Sequence, residues 1–433
     1  MTKIQNIRAF GFWLLDGLKG SPLKKDLLEI SDGLALSSFE NLKNRKKSAL
    51  KQLLDTVTQQ SEFYRAYTSY TALDDFPVVN KTIIKENFEA INIPHSSKSL
   101  TKVSSSGSTG IPFTIYQTQR KTIRNKADVL YFANAAGYTI GDTLYFVRLW
   151  LKKYQKSLLQ QKMLKIIPVD VEHLEDPDVA QLIHKLKMSK DPKGFIGYAS
   201  GFEKICQYLD KIASKPIDCN MQSIIATSES LYDDVRKKME YYFKNPVVSR
   251  YSNEENGILA QQAPHETAFT INWASFYIEL LDIHNDQPAK PGDVGRIVVT
   301  DYYNLATPMI RYDTGDLGQF CNFEDDAVPK LKAVIGRLKD VLYNTEGIIV
   351  SAFLIYGSLL NYPEISEFQI IQKTQFKYLI KLACPSEFKR DQELITLYKS
   401  YLGNDAQIAI DYVDRIEPFK SGKKRMIINE FKI

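Results

Sequence analysis

The 433-residue chain has little cysteine, no long apolar run and almost no excess of charge. Its four cysteines, Cys206, Cys219, Cys321 and Cys384, are scattered and form no C-x-x-C pair. That spacing excludes a zinc ribbon and a disulfide framework and points to a reducing cytoplasm. No stretch approaches the ~20 apolar residues of a transmembrane helix. Ala9 to Leu15 has the apolarity of a leader, but Asp16 interrupts it and Lys19, Lys24 and Lys25 follow with no small-residue cleavage site. It is read as a first helix, packed or partly exposed, with contact to a membrane surface as the alternative. The 56 basic residues nearly balance 51 acidic ones, for a net charge of +5. Basic runs such as Lys43 to Lys47 and Lys420 to Arg425 lack the wider stripe of a nucleic-acid footprint. Two nucleotide signatures are also missing: no G-x-G-x-x-G occurs, and no loop glycine is followed by Lys and Ser/Thr. Any nucleotide chemistry would therefore use neither a dinucleotide fold nor a Walker loop. The sequence shows no internal repeat and no low-complexity tract.

What is present is an ordinary globular composition, 44% hydrophobic and 25% charged, on a chain long enough for two or more domains. Its most informative stretch is SSSGSTG, Ser104 to Gly110. Gly107 and Gly110 bare backbone N–H groups, and Ser105, Ser106, Ser108 and Thr109 add hydroxyl donors, a set that suits a polyphosphate. A flexible linker has the same composition. The β-prone run Phe113 to Tyr116 follows at once, so the tract is expected to be the turn of a hairpin.

Leucines at helical spacing from Pro22 to about Tyr70 predict an opening set of helices, and Phe76 to Val79 an extended break. Helices are expected over Lys81 to Phe88, Arg120 to Ala136, Phe202 to Ala213 and Tyr232 to Phe243. Strands are expected over Thr143 to Trp150, Ile224 to Ala226 and Val247 to Ser249, with a charged loop over Arg250 to Gly257 and strands through 270–320. This alternation predicts an α/β class, with ligands at the strand ends. A boundary near Gly336 to Asp340 leaves a C-terminal piece of domain size.

Four further clusters accompany the Ser/Gly tract: RYSNEENG at Arg250 to Gly257, RYDTGD at Arg311 to Asp316, GRLKD at Gly336 to Asp340, and SGKKR at Ser421 to Arg425. Singly they read as an acidic turn, a helix start or a solvated loop. In this order and at these separations the chain resembles the adenylate-forming enzyme superfamily over about residues 75 to 425. Phe76 to Lys81, FPVVNK, and Gly197 to Ser200, GYAS, are similar to the phenylacetate-CoA ligase group and its relatives in capsular polysaccharide biosynthesis.

The resemblance implies a large domain of mixed sheets and helices over residues 1–338, its first 75 mainly helical, and a small mobile α+β lid over 339–433. It implies that Ser105, Ser106, Gly107, Ser108, Thr109 and Gly110 wrap the ATP phosphates and that Ser228, Glu229 and Ser230 line the adenine pocket under Tyr251. Asp316 would hold the ribose hydroxyls, with Arg337 near ribose and phosphate. Glu255 would hold Mg²⁺, Lys339 would be the hinge, with a plain linker as its alternative, and Lys423 would be the catalytic lysine, with Lys424 as an alternative. Trp150 and Tyr198 are candidates for the carboxylate pocket, or for core packing. The implied activity is attack of a carboxylate on ATP, giving an acyl-adenylate, AMP-forming transfer to a thiol such as coenzyme A or to an amine, and no nucleic-acid partner. A nucleotide-binding protein without catalysis is the alternative. Ile111 stands where many relatives have lysine, Ser252 where they often have Gly, and Glu254 where a hydroxyl or Arg is common. With Ile111 after Gly110, positive charge at the phosphates has to come from elsewhere.

Overall fold

A computed structural model describes residues 3–95, 100–104, 113–150, 165–321, 326–337, 342–350, 355, 359, 362, 364–384, 388–417 and 426–431. The tract 105–110, Lys339 and Lys423 lie outside the described residues, as does the side chain of Arg337. The chain divides into two compact units, residues 1–314 with 319–333, and residues 315–318 with 334–433.

Helices open the chain: α1 (Lys3–Gly17) over the apolar N-terminal segment, then α2 (Pro22–Leu34) and α3 (Phe39–Gln60) as the leucine spacing predicts. The Ser38 hydroxyl accepts the Asn41 N–H at 3.1 Å and satisfies one orphan donor at the start of α3. Leu53, Leu54 and Val57 of α3 then pack with Tyr64, Phe76 and Val79 in one core. Asn80 caps α4 (Lys81–Glu86) by accepting from the Thr82 and Ile83 amides at 2.9 and 3.0 Å. After the short α5 (Phe88–Ile91), β1 (Leu100–Ser104) and β2 (Thr114–Thr118) pair antiparallel, with Ser104 opposite Thr114. The Ser/Gly tract therefore joins two hairpin strands, as expected, and α6 (Gln119–Ala135) follows at once.

Five strands follow, with a helix described in each connection from β4 onward: β3 (Thr143–Arg148), β4 (Ile166–Asp170), β5 (Lys193–Gly197), β6 (Met221–Thr227) and β7 (Val247–Asn253). All their pairings are parallel. Parallel strands are covered on both faces, which is why β6 carries Ile224, Ile225 and Ala226 in a row and buries every residue but Gln222. Helices Asp176–Met188, Ala199–Lys211 and Asp233–Phe243 pack on them through Leu182, Ile205 and Met239. A Cβ at Gly197 would lie 2.5 Å from the Val147 carbonyl oxygen, so only glycine lets the chain pass β3 there. Further strands β8 (Gly257–Gln262), β9 (Phe269–Ile271), β10 (Phe276–Leu281), β11 (Val294–Asp301), β12 (Tyr312–Phe320) and β13 (Lys330–Arg337) complete an 11-stranded sheet of order β10-β11-β12-β13-β9-β8-β7-β6-β5-β3-β4.

The C-terminal unit holds the two-stranded pair β14 (Leu342–Tyr343) and β15 (Ile349–Val350). It also holds a four-stranded sheet of β16 (Glu367–Gln372), β17 (Lys377–Ala383), β18 (Gln407–Tyr412) and β19 (Ile427–Asn429), in the order β18-β17-β16-β19. Helix Asp391–Leu402 closes its core of Phe368, Ile370, Ile380 and Tyr398. The class is α/β, with a large sheet-rich N-terminal part and a small α+β C-terminal one, as the sequence led us to expect. Among the described residues no helix is long and apolar enough to cross a membrane.

One local expectation fails. Arg250 to Gly257, expected as a loop, is strand through Asn253 and turns only over 254–256. Its polar residues find partners across the ladder: the Arg250 Nε donates to Gln261 Oε1 at 2.7 Å, so polarity there does not mean solvent. Tyr312 to Asp316 lies on β12, among the strands expected through 270–320, and is not the acidic turn its residues suggest when read alone.

Candidate functional site

The carboxyl ends of β3, β5, β6 and β7 lie side by side, with Val147 opposite Gly197, Gly197 opposite Ala226 and Thr227 opposite Arg250. Chains leaving such an edge diverge and leave a crevice for a ligand. Tyr198, Trp150 and Ser228 to Ser230 all emerge there. Ser228 takes a left-handed φ of 70°, a costly conformation for a residue with a Cβ, and turns the chain sharply off β6. The next residue, Glu229, accepts the Ser200 N–H at 2.9 Å and so caps helix Ala199–Lys211, whose N-cap is the buried Tyr198. The Trp150 indole N–H donates to the Phe146 carbonyl at 3.1 Å, and its ring meets Phe146 edge-on. Both aromatics thus do packing work.

Residues of the separate motifs touch one another. Buried Tyr251 reaches Thr314, hydroxyl to hydroxyl, at 3.4 Å, and Thr227 and Ser252 approach to 3.5 Å. Glu255, 3% exposed, stands at the turn after β7. Its Oε1 accepts from the Tyr312 hydroxyl at 2.6 Å and pairs with the Lys81 ammonium at 2.8 Å. The Gln117 side chain on β2 donates to the Glu255 carbonyl at 2.9 Å, and the Phe113 ring stacks parallel to Tyr312 at 6.4 Å. The structure therefore brings together the hairpin that flanks the Ser/Gly tract, the turn at Glu255, and Tyr312 to Thr314. Asp316 sits on β12, half-buried, and Arg337 ends β13.

Four contributors were given no role in the sequence: Lys81, Arg311 and Tyr312, which lie in quoted motifs, and Gln117, which lies in none. Arg311 has a φ of 47°, and its guanidinium grips Glu279 at 2.9 Å while donating to the carbonyls of Asp74 and Phe76 at 3.3 and 3.1 Å. Val79 then pairs with β12, donating to the Arg311 carbonyl at 3.1 Å and accepting from the Asp313 amide at 2.8 Å. These bonds deliver Lys81 to Glu255. The only sequence signal for it was the similarity of FPVVNK to relatives, which assigns no contact.

Arg250 is buried with no carboxylate opposite it, and its Nη2 has no partner among the described residues. Burial alone pushes its guanidinium down from the ordinary value. Glu255 offers the hard oxygen donor that Mg²⁺ prefers, though it belongs to no three-ligand cluster. The one such group among the described residues is Asp170, Glu172 and His173 beyond β4. An ion at Glu255 would take its remaining ligands from phosphate and water.

Known proteins share this architecture. Residues 342–430 match the family model of the CapK C-terminal domain. The chain is 23% identical over 427 residues to Protein CapK of Staphylococcus aureus, covering 92% of this chain and 91% of that protein. A 2-hydroxyisobutyryl-CoA ligase in its postadenylation state, in complex with R3-HIB-AMP, superposes with a TM-score of 0.69 at 17% identity, covering 91% of this chain and 90% of the other. ATP-bound MatB from Rhodopseudomonas palustris gives a TM-score of 0.56 at 15% identity, over 77% and 68%. An anthranilate CoA ligase, AuaEII, with anthranoyl-AMP gives 0.54 at 14%, over 77% and 66%.

Proposed function

From a CapK-like chain with the fold of the adenylate-forming ligases, we propose an ATP-dependent ligase that activates a carboxylic acid as its acyl-adenylate, releases pyrophosphate, and passes the acyl group to a thiol or an amine. The observation that carries this reading is the convergence on Glu255 and Tyr312 of the hairpin flanking residues 105–110, the β7 turn and the Arg311 to Asp316 motif. Both reactants, a carboxylate and the α-phosphate, are anionic, so the site must supply cations and N–H dipoles. In this reading Ser105 to Gly110 hold the phosphates, Ser228 to Ser230 and Tyr251 the adenine, and Asp316 the ribose. Arg337 and Lys423 add positive charge, and a lysine suits a mobile point charge on a long stem. Mg²⁺ held by Glu255 would neutralise phosphate charge. Lys339 acts as the hinge on which residues 339–433 withdraw Lys423 after adenylation and admit the acceptor. Coenzyme A is the thiol its structural relatives suggest. The motif resemblance favours an amine of an amino sugar in surface-polysaccharide biosynthesis, in the cytoplasm.

The decisive assay is acid-dependent exchange of labelled pyrophosphate into ATP across an acid panel. Lys423→Ala is expected to lose about 100-fold or more of the exchange rate. Lys339→Pro is expected to spare exchange and slow acyl transfer; equal loss of both removes the hinge. ATP binding with no AMP or pyrophosphate from any acid and acceptor leaves a nucleotide-binding protein instead.

A further inference from the structure

We propose that Lys81 is a working cation of the nucleotide site: it neutralises Glu255 while the site is empty and pairs with phosphate once a metal ion takes the carboxylate. The proposal rests on the adenylation reading above. Two observations converge on it. The Lys81 ammonium lies 2.8 Å from Glu255 Oε1, yet the lysine side chain is 35% exposed where the glutamate is 4% exposed. The pair is thus open to solvent on its cationic side. The same ammonium lies 5.4 Å from the centroid of Phe113, the residue just before β2, so it reaches the hairpin as well as Glu255.

The backbone around Lys81 is built to hold this place. Asn80 caps α4 and fixes Lys81 as its first residue, while Val79 is bonded to β12 on both sides of Tyr312. Above that anchor the four-carbon stem is free to swing its ammonium by several ångströms. Tyr312 meanwhile keeps its own bond to Oε1 and holds the carboxylate in orientation when the lysine leaves. A cation whose partner is a metal ligand can be exchanged by mass action: the divalent ion binds the carboxylate, and the displaced ammonium finds phosphate oxygens nearby.

The test is a double-mutant cycle of parent, K81M, E255Q and K81M/E255Q. Its readouts are calorimetric binding of a non-hydrolysable ATP analogue, with Mg²⁺ and with EDTA, and thermal melting of the free proteins. With Mg²⁺, K81M is expected to weaken analogue binding by about tenfold or more in both the parent and the E255Q backgrounds, the scale of one lost charge-assisted contact. With EDTA, Lys81 stays on Glu255 and the effect of K81M in the parent background shrinks; an effect of equal size overturns the exchange. If K81M changes melting alone, or binding only while Glu255 is intact, Lys81 merely neutralises the glutamate and the proposal falls. The double variant carries neither charge, so it leaves no unpaired ion and serves even if K81M does not fold. Binding that depends on Lys81 in a protein without pyrophosphate exchange keeps this proposal and sinks adenylation. Binding indifferent to Lys81 in a protein that adenylates does the reverse.

Discussion

Two lysine–carboxylate pairs in the N-terminal unit have nearly the same length and opposite surroundings. Lys121 Nζ lies 2.7 Å from Asp301 Oδ2, both side chains at most 1% exposed. Lys81 Nζ lies 2.8 Å from Glu255 with its lysine in reach of water. The first pair is closed: its ammonium lies 4.5 Å from the Phe276 centroid, off the hydrogen-bond axis of the carboxylate, while Asp301 Oδ1 accepts from the Tyr303 and Asn304 amides. Nothing can replace either partner, so the pair fixes the 301–310 turn ahead of β12. The second pair can exchange. Distance alone would have called them equals; access separates a brace from a site.

The largest effect should follow from breaking the closed pair. Lys121→Met leaves Asp301 charged and unpaired, and is expected to cost about 3–5 kcal/mol in urea unfolding. Lys81→Met should cost clearly less, because water reaches the vacated side. Equal losses would collapse the distinction between the pairs.

Arg250 is the third case, a buried cation with no acid opposite it among the described residues. Arg250→Met sheds an uncompensated charge but strands Gln261 Oε1, and these offset, so unfolding stability is expected to stay within about 1 kcal/mol of the parent. A loss near that of Lys121→Met would mean that Arg250 has an anion partner in the folded protein, and the contrast with the closed pair would vanish.

How much of this was legible beforehand follows from the range of the forces involved. Helices α2 and α3, the hairpin around the Ser/Gly tract and the β6-helix-β7 unit were readable because apolar spacing and turn residues act locally. Strand Arg250–Asn253 was not, since its polar side chains reach β8, β6 and β12 rather than solvent, Arg250 meeting Gln261, Ser252 meeting Thr227 and Tyr251 meeting Thr314. Glu255 and Asp316 were found as motif positions, but their surroundings were not. Lys81, Gln117 and Tyr312 come to Glu255 from three distant segments, and no local pattern encodes such a meeting. Arg311 was visible as the first residue of RYDTGD; its work as a clamp on Asp74 and Phe76 shows only in three dimensions.

The smallest effect concerns the start of the segment that carries Lys81. The Asp75 carboxylate accepts from the Thr71 and Ala72 amides at 2.6 and 2.9 Å and from the Thr71 hydroxyl at 2.9 Å. These bonds, the Thr71 amide foremost, hold its carboxyl below the usual carboxylate range. A carboxyl depressed in the folded state gives its full stabilisation above the unfolded value, about pH 3.9, and loses it as pH falls through the lower folded value. Urea unfolding from pH 6 down to pH 2.5 should therefore show Asp75→Asn costing stability at the upper end and converging on the parent at the lower. A cost independent of pH would show that the amide caps the turn as well as the carboxylate does, and that Lys81 is delivered by Arg311 and β12 alone.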